Sequence, residues 1–98
     1  MNEPLKPGGA KRAIIGILAE GTISWNTSTK SHFLEEMAKD KLTIPDCMNV
    51  LRGGVVDPAE WSEKFAEWRY RVHTNKICVV ITFVADDELF IVTTWRKQ

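Results

Sequence analysis

The sequence carries no net charge, since 13 basic residues balance 13 acidic ones over 98 positions. No global field draws such a chain to nucleic acid or to an acidic membrane, so any anion site has to be local. Cysteine is scarce: Cys47 and Cys78 lie among apolar neighbours, with no Cys or His at metal-ligand spacing. That argues against zinc and against a disulfide framework, and a reducing compartment fits best. No apolar run approaches the roughly 20 residues of a membrane span, and no apolar segment follows a basic start as in a secretory signal. A cytoplasmic, unprocessed protein is expected. Also missing are a glycine-rich phosphate loop, a G-x-S-x-G elbow, paired histidines and a calcium loop. No cofactor and no metal are expected.

Apolar residues at 44% and charged residues at 27% are near the globular average. A chain of this length buries roughly two-thirds of its unfolded surface and folds as one domain without staples. Residues 10–98 are read as that domain, and Met1 to Gly9 as a weakly ordered lead.

Ala10 to Glu20 has a helical stripe in Ile14, Ile17 and Leu18, widened by Ile15, and Gly21 supplies a stop. Lys11 and Arg12 then fall in the first turn, at the positive end of the helix dipole. Either the helix is exposed and screened, or Lys11 and Arg12 help to hold a phosphate. A polar stretch from Thr22 to Ser28 leads to a second helix, with Phe33, Leu34, Met37 and Ala38 on its buried side and His32 projecting outward. Ser31 or Thr29 is its cap. The third helix is better marked: Thr43-Ile-Pro-Asp46 is a capping-box pattern with Asp in the Glu place. Ile44, Cys47, Met48 and Leu51 form its stripe, and Gly53-Gly54 end it.

From Asp57 to Glu67 the signals conflict, because Trp61, Phe65 and Trp68 have helical spacing in what the likeness described below would make extended chain. The segment stays open.

Three runs rich in β-branched and aromatic residues follow: Trp68 to His73, Lys76 to Val84 and Leu89 to Trp95. They predict an antiparallel meander, hence an α+β fold of N-terminal helices on a C-terminal sheet. A two-residue loop at Thr74-Asn75 would set His73 opposite Lys76, Val72 opposite Ile77, Tyr70 opposite Val79 and Trp68 opposite Ile81. Trp68, Tyr70, Val72, Ile77, Val79, Ile81 and Phe83 then share one face, and Arg69, Arg71, His73, Lys76, Cys78, Val80 and Thr82 the other. The second hairpin allows two registers. One sends Phe90, Val92, Thr94 and Arg96 to the basic face; the other sends Leu89, Ile91, Thr93 and Trp95.

The basic face carries the candidate chemistry. Arg69, Arg71, His73 and Lys76 cluster in one hairpin, with Arg96 and Lys97 at the end of the next strand. Side-by-side cations repel unless an anion lies among them, and arginine forks bind phosphate oxygens bidentately. The alternative is a solvated face, or one neutralised by Glu60, Glu63 and Glu67. Metal-free RNA cleavage needs a base for the 2′-hydroxyl, a donor for the leaving oxygen and cations for the phosphate. His32 is the candidate proton carrier, since histidine titrates near neutrality; the plainer reading is an exposed histidine beside Glu36. His73, next to a turn, contributes charge. Tyr70 reads as core, and Cys78 as a buried structural thiol rather than a nucleophile.

The layout of a helix ending Glu20-Gly21, a His-bearing second helix, a Cys47-Met-Asn-Val50 third helix and a meander ending Ile91-Val-Thr-Thr-Trp-Arg-Lys97 resembles the MqsR and RelE-like toxin superfamily. The stretch from Trp68-Arg-Tyr-Arg-Val72 to the last strand is also similar to an uncharacterised domain family grouped with those toxins. The resemblance implies a curved antiparallel sheet backed by helices, metal-independent endoribonuclease action on mRNA, and an antitoxin protein as partner. Arg69 and Arg71 match its strand arginines. Together with the residue reading this makes Arg69, Arg71 and Lys97 at the scissile phosphate and His32 as proton carrier the catalytic candidates, with His73, Lys76, Arg96, Lys11 and Arg12 along the RNA. The chain departs from the toxins in placing Cys78 and Trp95 where a functional tyrosine and lysine are usual. It also has Glu36 and Asp40 where arginines often follow the helix histidine.

Overall fold

The computed structural model describes residues 1–28 and 33–98. Helices and strands alternate early and strands dominate late: α1 (Pro7–Glu20), β1 (Thr22–Trp25), α2 (Phe33–Lys39), α3 (Ile44–Gly53), β2 (Val55–Val56), β3 (Glu60–Ser62), β4 (Glu67–His73), β5 (Ile77–Ala85) and β6 (Glu88–Arg96). The result is a small α+β domain with N-terminal helices and a C-terminal mixed sheet.

The sheet is not the simple meander expected. Its order is β1-β6-β5-β4-β2, with β3 also on β4. The expected polar connection from Thr22 to Ser28 contains β1, which runs parallel to β6 with Ile23 opposite Leu89. A four-residue strand with no strong alternation has little local signal, so its partner decides it. The open segment after Asp57 is also partly strand: Trp61 pairs with Trp68 in β3–β4, and their rings meet edge-on at 5.2 Å. The helical spacing of Trp61, Phe65 and Trp68 therefore reflects a strand and a turn, with Ala66 at φ 51° reversing the chain.

α1 begins at Pro7, earlier than its stripe suggests, because a proline with no N–H is at home in a first helical turn. Lys11 and Arg12 thus fall in the second turn, away from the positive end of the helix dipole, while Glu20 stays at the negative end as the sequence suggests. The capping box of α3 forms as read: the Asp46 N–H donates to Thr43 Oγ1 at 3.3 Å, and the Thr43 N–H donates to Asp46 Oδ2 at 2.9 Å. α2 ends in a Schellman motif, with Leu42 N–H on the Met37 carbonyl, Lys41 N–H on that of Ala38, and Lys41 at φ 56°.

The division of the sheet into two faces holds although the register differs. Tyr70 stands opposite Ile81, Val72 opposite Val79, and His73 opposite Cys78. Thr74 Oγ1 accepts from the N–H groups of Lys76 and Ile77, which draws a longer loop than Thr74-Asn75 alone. The shift is by two residues, and a side-chain period of two leaves every residue on its face. In β5–β6 a bulge between Val80 and Ile81 changes the parity. Each of the two registers considered is therefore right for half of the strand: Phe90 follows one, and Thr93 and Trp95 the other. Leu89, Ile91 and Thr94 are buried against the helices.

One core results. Ala10, Ile14 and Ile17 of α1, Phe33 and Met37 of α2, and Cys47, Val50 and Leu51 of α3 meet Tyr70, Val72, Val79, Ile81, Phe83, Leu89 and Ile91. Ile15, Leu34 and Ala38, expected inside, are exposed, while Val50 is buried without having been expected. Gly21 is required by packing, since a Cβ there would lie 2.3 Å from the Asp87 carbonyl oxygen that accepts the Thr22 N–H. Residues 1–6 also touch the fold: Tyr70 Oη donates to Glu3 Oε2 at 2.8 Å and accepts from the Leu5 N–H at 3.0 Å. Among the described residues no helix is long and apolar enough to cross a membrane.

Candidate nucleic-acid interface

With the helices covering one face of β4–β6, side chains at alternate positions of β4 emerge on the other. Arg69, Arg71 and His73 share that face, spaced by roughly 7 Å along the strand. Cys78, Val80 and Thr82 of β5 stand beside them and are buried. Burial pushes the Cys78 thiol's pKa up, so it is a protonated structural group and not a nucleophile.

Two depressions run along the face. One, of about 270 Å³, is lined by Glu60, Trp61, Ser62, Arg69, Arg71, Val80, Thr93 and Trp95. The next, of about 360 Å³, is bordered by Phe65, Phe90, Val92 and Arg69 among others. Arg69 belongs to both. Its guanidinium lies 4.8 Å from the Phe65 ring centroid, and that of Arg71 lies 5.9 Å from the Trp95 ring centroid. Such contacts orient a guanidinium without consuming its donors.

The cations do not stand unpaired. Arg69 Nε binds Glu67 Oε2 at 3.0 Å, while Arg71 Nη2 lies 3.8 Å from Glu60 Oε2. Intramolecular neutralisation is thus realised for Arg69. The Arg71 pair is too long for a hydrogen bond and half exposed, an arrangement worth at most about 1 kcal/mol and readily exchanged for a phosphate. His73 is held from both sides, with Nε2 at 3.0 Å from Asp57 Oδ1 and Nδ1 at 2.9 Å from Lys97 Nζ. Asp57 is placed there by its own backbone, whose N–H donates to the Arg71 carbonyl at 2.9 Å just beyond β2.

Arg69, Arg71, His73 and Lys97 are therefore brought together. Lys76 is exposed in the loop beside them, its carbonyl accepting the Lys97 N–H at 2.7 Å. Three other sequence candidates are elsewhere. Lys11 does not face an anion: its Nζ donates to the carbonyls of Leu51, Arg52 and Gly54 at 3.2, 2.9 and 2.7 Å. It thereby caps the negative end of α3, and burial pushes its pKa down. Arg96 turns toward α2, with its Nε on the Asp40 carbonyl, its Nη2 on that of Lys41, and its N–H on the Asp40 carboxylate. Arg12 is exposed on α1. His32 lies outside the described residues.

The sequence did not single out Asp57. The sequence signal near it is Pro58, which biases the residue before it to extended backbone. Among the described residues no group of three or more His, Cys, Asp or Glu stands together as a metal site. No family model matches the chain, and neither a curated protein nor a solved structure matches it.

Proposed function

We propose that the chain binds single-stranded RNA along its basic face and cleaves it without a metal, as its resemblance to the MqsR and RelE-like toxins implies, with an antitoxin protein covering the same face. The observation that carries this is the alternation of aromatic rings and guanidinium groups along two depressions that share Arg69: Phe65 beside Arg69, then Trp95 beside Arg71. Base-to-ring stacking tolerates any sequence and arginine forks take the phosphates between the bases, which is the common plan of single-strand binding. The zero net charge is no obstacle, because a phosphate at Arg71 takes the place of the loosely held Glu60 carboxylate.

A second reading, a non-catalytic module that docks a protein, is favoured by the exposure of Trp61 at 49% and Phe65 at 56% next to the Glu60 and Glu67 carboxylates. One experiment separates them. A short unstructured RNA is incubated with the protein in EDTA at low salt, measuring both binding and cleavage for wild type, Arg71→Ala and Trp95→Ala. The RNA reading expects binding and cleavage by wild type and a loss of roughly a hundredfold or more in cleavage on removing Arg71. RNA left unbound and intact, with and without ribosomes, would leave the protein-docking module.

A further inference from the structure

His73 is held by two charged side chains on the basic face, one on each ring nitrogen. A charged lysine ammonium has no lone pair, so Lys97 Nζ donates to Nδ1, and the ring N–H is left at Nε2 to donate to Asp57. This is the arrangement in which a carboxylate fixes a histidine tautomer and leaves the opposite nitrogen as base. His73 is partly open to solvent, with 28% of its side chain exposed, so a substrate hydroxyl can reach it. Arg71, one position along the same face, holds its guanidinium on Trp95, which stands across β5 from His73.

We infer that Asp57, His73 and Lys97 are the proton-transfer set of this face, with His73 the general base, Lys97 the general acid and Asp57 a positioning residue; this rests on the RNA reading above. In the free protein Lys97 covers the Nδ1 lone pair. A phosphodiester bound at Arg71 draws the ammonium onto its oxygens and uncovers the base, so the base is exposed only when substrate is present. The RNA 2′-hydroxyl then gives its proton to His73 Nδ1 as the 2′-oxygen bonds to phosphorus. The bond from phosphorus to the 5′-oxygen breaks, and Lys97 gives that oxygen a proton. The products are a 2′,3′-cyclic phosphate end and a 5′-hydroxyl end. The imidazolium returns its proton to the lysine amine along the contact that joins them at 2.9 Å, so no outside reactant is needed.

The test uses the full chain in EDTA, with a short single-stranded RNA for cleavage and the same strand fully 2′-O-methylated as the uncleavable binding probe. Wild type, His73→Ala, Asp57→Asn, Lys97→Ala and the Asp57→Asn/His73→Ala double variant are compared. The expected result is that His73→Ala, compared with wild type at RNA concentrations that saturate each protein as judged with the methylated strand, cleaves about 10²–10⁴-fold more slowly. Added imidazole restores part of that rate, which a merely structural role would not allow. Asp57→Asn slows cleavage on its own and adds nothing once His73 is gone. If wild type cleaves and His73→Ala cleaves as fast, the inference falls while the RNA reading stands. If wild type binds the methylated strand and leaves RNA intact, the inference falls and a non-catalytic RNA-binding module remains. If wild type neither binds nor cleaves, the RNA reading itself has failed and takes the inference with it.

Discussion

The ammonium of Lys11 on α1 donates to the carbonyl oxygen of Gly54 at 2.7 Å, tying the first helix to the point where α3 passes into β2. Two further carbonyls, of Leu51 and Arg52, share the same nitrogen. Replacing Lys11 by Met keeps the apolar stem and leaves the end of α3 uncapped. The expected cost is about 1–3 kcal/mol in urea unfolding, with RNA affinity at low salt unchanged. A fall in affinity with no loss of stability would return Lys11 to the phosphate role.

The adjacent glycines should respond in opposite directions. A Cβ on Gly54 would lie 2.6 Å from the Val50 carbonyl oxygen and 2.9 Å from that of His73, whereas one on Gly53 would meet nothing within 4 Å. Gly53→Ala, inside the helix, should stabilise by roughly 0.5–1 kcal/mol. Gly54→Ala must push β2 from β4, and both thermal stability and the Asp57–His73 contact should suffer. Thermal melts of the two variants decide it.

Tyr70 gives the fold an alkaline limit. Burial, with the Glu3 carboxylate adding to it, pushes the phenol up to about 12. Its folded value lies above the unfolded value of about 10, so the neutral phenol's contribution is complete below pH ~10 and is lost as pH rises toward the folded value. Tyr70→Phe should cost about 1–2 kcal/mol near neutral pH. Its deficit against wild type should shrink above pH ~10. Urea midpoints at neutral and alkaline pH measure this directly.

At the acid end the capping box acts in the other direction. Hydrogen bonds from the Thr43 backbone and hydroxyl hold the Asp46 pKa below the usual carboxylate value. A depressed folded value means stability that is present above about pH 4 and lost as pH falls through the folded value. The difference between wild type and Asp46→Asn should therefore be constant at neutral pH and vanish in acid. Thr43→Ala should cost about 0.5–2 kcal/mol at neutral pH.

On the basic face, salt separates the role of charge from that of stacking. Arg71→Ala should lower the slope of log affinity for single-stranded RNA against log salt by about 0.7, the share of one phosphate contact. Trp95→Ala should leave that slope unchanged and weaken binding at every salt concentration by about 1–3 kcal/mol. Equal slopes for wild type and Arg71→Ala would mean that Arg71 does not meet a phosphate.

The sequence by itself determined the features that depend on neighbours in the chain. The Thr43–Asp46 box, the Ile14–Ile17 stripe of α1, the stripe of α3, the strands β4 to β6 and the inward placing of Tyr70 all follow from spacing, capping chemistry and alternation. Alternation even survived a wrong hairpin loop, because a slip of two residues returns every side chain to its own face.

Tertiary structure decided what depends on partners far along the chain. β1 is a strand because the edge of β6 is open to it, and the bulge at Val92, opposite Val80 and Ile81, puts Phe90 and Trp95 on one face although they differ in parity. The basic residues look equivalent in the sequence, yet their roles are set by what lies within reach. Lys11 and Arg96 meet helix-end carbonyls, Arg69 and Arg71 meet aromatic rings, and His73 lies between Asp57 and Lys97. Charge is written residue by residue, but the group that balances each charge is chosen by distance in three dimensions, and a linear pattern does not carry that information.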